Sequence, residues 1–159
     1  MWRFKRAVCV ILCLLLCLLL PSCKEKEKLP TTAEIADELK GLSSEDITWV
    51  EISSNKLSSY FGFGADTVEE FKGYINDSED AYDIIAVFKS ENRQEVIKGI
   101  NLLVAGQENT YKVASENVFT KISGKLIAEK QDLIVLCIID NYEKAKKYFT
   151  DTLQAEIIS

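Results

Sequence analysis

The chain has 159 residues, of which 19 are basic and 25 acidic, giving a net charge of −6, and it contains no histidine. Such an acidic surface repels nucleic-acid phosphates, so no nucleic acid is expected as a partner. The missing histidine removes the commonest general base, the usual metal ligand and any Ser-His-Asp arrangement.

Arg3, Lys5 and Arg6 precede an unbroken apolar run of 14 residues, Ala7 to Leu20. A spanning helix needs roughly 20 apolar residues, and a basic start followed by a shorter apolar run is the pattern of a secretory signal. Cys9, Cys13 and Cys17 lie on one helical face of that run and would leave with it. The run ends at Leu20-Pro21-Ser22-Cys23. This tetrapeptide resembles the lipobox of bacterial lipoproteins, with an aliphatic residue three before the cysteine and a small one directly before it. The resemblance implies diacylglyceryl transfer to the Cys23 thiol and signal cleavage between Ser22 and Cys23. Two or three acyl chains there make a stable anchor, since each buried methylene contributes about 0.8 kcal/mol. Residues 1–22 are therefore expected to be a lipoprotein signal peptide, and membrane lipid the partner of Cys23. Loss of the three basic residues with the signal takes the net charge to −9.

Residues 23–30 form a charged tether, because Lys24-Glu25-Lys26-Glu27-Lys28 has no apolar face. Residues 31–159 read as a single domain of a size that can bury its own core. Thr31-Thr32-Ala33-Glu34 is a capping box, opening a helix to about Lys40 with Ile35, Leu39 and Leu42 as its stripe. Ile47 to Ile52 is β-branched and aromatic, the composition of a strand. Ser53 or Ser54 can cap a short helix to Phe61. Tyr60-Phe61-Gly62-Phe63-Gly64 follows, and without the Lys-Ser/Thr of a phosphate-binding loop it reads as a turn with aromatic anchors.

Thr67 to Asn76 and Ala81 to Lys89 pair as a hairpin across the acidic stretch Asn76 to Asp80. That stretch lacks the glycine and closing glutamate of a calcium loop, so it reads as a solvated turn and no metal is expected. Asn92 to about Gln107 is the clearest helix, with Val96, Ile97, Ile100, Leu103 and Val104 on one face and Gly99 as a weak point. A second helical stretch runs from Tyr111 to Ile122, after a break at Gly106 to Thr110. Leu126 to Ala128 and Leu133 to Ile139 form a second hairpin about Gln131-Asp132. Asp140 or Asn141 caps a last helix from Tyr142 to about Ala155. Cys137, inside the second hairpin, reads as an inert core thiol. The order predicts an α+β fold: a single antiparallel sheet of two hairpins plus an extra strand, with helices packed largely on one face.

From Thr32 onward the chain resembles a family of bacterial lipoproteins, domain-of-unknown-function family 4358. The residues that carry the resemblance are Thr32-Ala33-Glu34-Ile35-Ala36, Ile85-Ala86-Val87-Phe88-Lys89, the long helix, and the strand-then-helix pair ending near Leu153. Family members often place an acidic residue just before Ile-Ala-Val-Phe; here Ile84 holds that position and Asp83 stands one earlier. The resemblance implies an extracytoplasmic lipoprotein and no particular activity.

The expected function is thus that of a membrane-anchored, non-catalytic module that binds a protein or other envelope component and carries no cofactor. Trp49, Tyr60, Phe63 and Tyr74 are its candidate contacts, because tryptophan and tyrosine are enriched at binding hot spots. Two alternatives stand beside it. A small-ligand carrier needs an enclosed pocket of about 300 Å³ or more. An enzyme would have to work through carboxylates, for which Glu69-Glu70 and Glu79-Asp80 are the adjacent pairs.

Overall fold

The computed structural model describes residues 29–158, apart from 45, 79 and 80. The proposed signal, Ser22 and Cys23 lie outside these residues. Helix α1 spans Thr32–Gly41, and the capping box that starts it is formed. The Thr31 hydroxyl accepts from the Glu34 N–H at 3.2 Å, and the Glu34 carboxylate accepts from the Thr31 N–H at 2.8 Å. Strand β1 is only Val50–Ile52, shorter than the composition of 47–52 predicts. A 3₁₀ turn at Ser54–Lys56 leads into helix α2, Leu57–Phe61, which ends at Gly62 in the left-handed region (φ 77°). Glycine adopts that conformation without steric penalty. A second 3₁₀ turn, Ala65–Thr67, precedes β2, Glu70–Ser78, and β3, Ala81–Lys89. Helix α3, Arg93–Ala114, is followed by α4, Glu116–Ser123. Strands β4, Leu126–Lys130, and β5, Leu133–Ile138, form the second hairpin. Helix α5, Tyr142–Lys147, continues as wider π-helical turns over Tyr148–Leu153, and Glu156–Ile157 adds a short strand β6.

The strands make one antiparallel sheet in the order β1-β2-β3-β5-β4-β6. The α+β class and the two hairpins are as expected, but β2 starts at Glu70 rather than Thr67, and Asn76 to Ser78, read as part of the acidic turn, extend it and pair with Ala81 to Asp83. The helices, however, divide between the two faces of the sheet rather than lying largely on one. Tyr82, Ile84, Ala86 and Phe88 of β3 point to a core shared with α2, α3 and α4. Ile85 and Val87, one residue out of phase, point to a second core shared with α1, α5 and the π-helical turns. β3 and β5 are covered on both faces, which explains why their sequences are continuously apolar instead of alternating.

Three boundaries also differ from expectation. Helix α3 runs through Gly106 to Thr110 without a break, and the Thr110 hydroxyl donates to the Gly106 carbonyl at 3.0 Å. The interruption falls at Ser115, whose side chain caps α4 by accepting from the Val118 N–H. Asn92 precedes α3 but makes no side-chain cap; its own N–H is held by the buried Ser90 hydroxyl, which in turn donates to the Thr67 carbonyl at 2.6 Å. The last helix ends at Leu153, where Gln154 turns left-handed and returns the chain to the sheet as β6.

Candidate functional site

The sheet separates the four candidate contacts into two pairs. Tyr60 and Phe63 lie with the α2–α4 core. Phe63 is buried, stacked 5.8 Å from Phe61 and edge-on to Phe88 at 5.9 Å, so it is a core anchor with no surface to offer. Tyr60 is half-buried beside Phe61. Trp49 and Tyr74 lie on the opposite face, edge to face at 6.5 Å. In each pair one ring is buried, Phe63 or Tyr74, and one is half-buried, Tyr60 or Trp49.

The arrangement of Trp49 and Tyr74 follows from register. Glu51 of β1 pairs with Tyr74 of β2, so Trp49, Glu51, Lys72 and Tyr74 share the face that α1 covers. Tyr74 is 8% exposed, and its hydroxyl donates to the Asp37 carboxylate of α1 at 2.7 Å. Burial pushes its phenol above the usual tyrosine range, and the bond to Asp37 adds to that, while Lys72 opposes it. The Lys40 ammonium sits 4.5 Å above the Tyr74 ring, and Lys72 sits 5.1 Å from it. Lys72 also pairs with Glu51 at 2.8 Å, and that bond holds the ammonium above its usual range. Trp49 stays half-buried at the rim.

Two shallow grooves flank this cluster. One, of about 460 Å³, runs past Asp37, Lys40, Ser43, Ile47 and Trp49. The other, of about 440 Å³, follows Glu34, Asp37, Glu38 and Leu42. Both are open to solvent, unlike the enclosed pocket a carrier uses.

The carboxylates arrange differently from the sequence pairs. Glu69 and Glu70 are exposed and share Lys89, at 3.3 and 3.7 Å. Glu79 and Asp80 lie outside the described residues. A carboxylate given no role in the sequence reading, Asp83, is buried against Lys121 and Asn76. Its sequence signal is a lone acid within β3, directly ahead of the apolar run Ile84 to Phe88. Among the described residues, no group of three or more His, Cys, Asp or Glu side chains is placed to hold a metal ion. Cys137 is the core thiol expected: burial, and secondarily the Asp83 charge, push it far above the usual thiol range. Among the described residues, no helix is long and apolar enough to cross a membrane.

Comparison of the chain with protein-family models, with curated proteins and with solved structures finds no match.

Proposed function

We propose that the protein is an extracytoplasmic lipoprotein, anchored by acyl chains on Cys23 after removal of residues 1–22, that binds an envelope protein without catalysis. Leu20-Pro21-Ser22-Cys23 supports the anchor, and the tether to residue 30 supplies reach from the bilayer. The resemblance to family 4358 implies the same placement; it rests on the residues quoted above alone, since no family model matches. The observation that carries the binding role is the half-buried Trp49, held edge-on to Tyr74 at the rim of an open groove. A partly exposed tryptophan on a rigid platform is the kind of surface that concentrates binding energy.

The test has two parts. Mass spectrometry of the mature N-terminus should find a lipid-modified Cys23, and an unmodified start would remove the anchor. A photo-crosslinking side chain at Val50, next to Trp49, should capture a partner in intact cells, and one at Val113 should not. Cys23→Ala should abolish the capture. Equal capture at both positions, or none at either, would remove the binding role.

A further inference from the structure

Both outer strands of the sheet, β1 and β6, pair inward alone and leave an outer edge. On the β6 side, the Ile158 N–H continues the pairing onto the Ile127 carbonyl at 2.8 Å. On the other side, β1 pairs inward with β2 and ends the sheet. Val50, at the start of β1, is 61% exposed. Ahead of it stands Ile47-Thr48-Trp49, which has strand composition but no place in the β1–β2 ladder. The sequence thus holds about twice the edge strand that the fold uses. An open edge of this kind presents unpaired backbone groups to any extended chain that arrives.

Charge selects among arrivals. Ile47 and Trp49 line the groove beside the end of α1. Around it stand the exposed carboxylates of Asp37, Glu38 and Asp46. The C-terminal end of α1 adds the negative pole of its peptide dipoles. With Glu51 there are four carboxylates against two ammonium groups, Lys40 and Lys72, which keep their charge over the Tyr74 ring, so the edge is net negative. The field at this edge therefore favours a cationic partner and repels an acidic chain or an anionic bilayer.

We propose that the outer edge of β1, lengthened through residues 47–49, takes an extended lysine- or arginine-bearing segment of a partner protein by strand addition. The inference rests on the binding role above and names the partner's chemistry. Main-chain hydrogen bonds supply affinity, and alternate side chains supply selection. One set of partner side chains lies on the Trp49 face, where a cation meets the indole and the Asp37–Glu38 carboxylates. The other set lies against Val50.

The experiment uses the full chain in detergent micelles with Trp2→Phe, which leaves Trp49 as the only tryptophan. The probes are end-capped peptides of alternating lysine and valine, and of alternating glutamate and valine. The lysine peptide should shift Trp49 emission and slow amide hydrogen exchange across 47–52. Val50→Lys should weaken it about tenfold, through the lost apolar contact with the peptide's valine row and the cation added to the edge. Val113→Lys, at a position 91% exposed on α3, should leave it unchanged. Equal binding of the glutamate peptide, protection on another surface, or indifference to Val50→Lys would overturn the inference. A partner captured in cells while neither peptide binds would overturn it too, and would leave the binding role standing.

Discussion

Lys121 of α4 reaches the Asp83 carboxylate of β3 at 2.8 Å, and Asp83 is only 1% exposed. The same ammonium holds Asp140 at 3.0 Å, and the Asn76 amide donates to the other Asp83 oxygen at 3.1 Å. The carboxylate is thus fully partnered in a place where water cannot replace a lost partner.

Lys121→Met should therefore cost about 3–5 kcal/mol, the range for stranding one member of a buried pair. Adding Asp83→Asn to that variant should recover a large part of the loss, because the charge that needed the partner is gone. Urea unfolding of the two single variants and the double variant measures both. Additive losses would mean that the pair is not coupled.

Two glycines of α3 should respond in opposite directions to alanine. A Cβ on Gly99 would lie 2.4 Å from the Phe61 carbonyl oxygen and 2.6 Å from the Phe63 ring, so Gly99→Ala should cost about 1–3 kcal/mol by overpacking. A Cβ on Gly106 meets nothing within 4 Å, so Gly106→Ala should stabilise by up to about 1 kcal/mol through helix propensity. Shifts in the urea midpoint at constant slope are the readout.

The β4–β5 turn carries Gln131 at φ 56° and closes with Lys130 opposite Leu133. A positive φ at the first turn position suits glycine. Gln131→Gly should raise stability by about 0.5–1 kcal/mol, net of glycine's extra entropy when unfolded. A fall in the thermal midpoint would show that the glutamine side chain makes a contribution of its own.

Cys137 should resist alkylation in the folded protein throughout pH 7–9, and react once denaturant exposes it. Its proton is retained when folded and released more easily when unfolded, because burial raises the folded value. The sign follows: stability is fully present below the unfolded thiol range, near pH 8.5, and falls as pH rises through it. For one proton the slope approaches about 1.4 kcal/mol per pH unit, and Cys137→Ala should lack that component. Peptide mapping after iodoacetamide treatment, together with unfolding at pH 7 and pH 10, checks both statements.

Local chemistry made much of the fold readable. The Thr31 box, the hairpin partners and the short helix that stops at Gly62 each depend on neighbours a few residues away, although neither Ser53 nor Ser54 forms the side-chain cap expected of it. The placement of helices on two faces was harder to read, because continuous apolarity in Ile84 to Phe88 and Leu133 to Ile139 hides which residue points where. Once both cores are seen, that continuity is itself the sign of a strand covered twice. Gly106 reads as a breaker, yet an exposed helix position tolerates it at modest cost. β6 has two residues and carries no periodicity at all. Within the candidate site, Trp49 and Tyr74 stood out by type alone. That Phe63 belongs to the opposite core depends on the register of β1, β2 and β3, which only long-range pairing fixes.

The sheet order places β3 and β5 side by side, although two helices and a strand separate them along the chain. The β2–β3 hairpin can close almost at once, but its apolar flank then waits for a strand that arrives some fifty residues later. Until β5 docks, the folding chain carries a naked row of Ile84 to Phe88 backbone, ready to join another molecule's copy. Slow refolding whose yield drops with protein concentration is the signature of that exposure, so the pace at which β5 docks governs how much of the chain is lost to self-association.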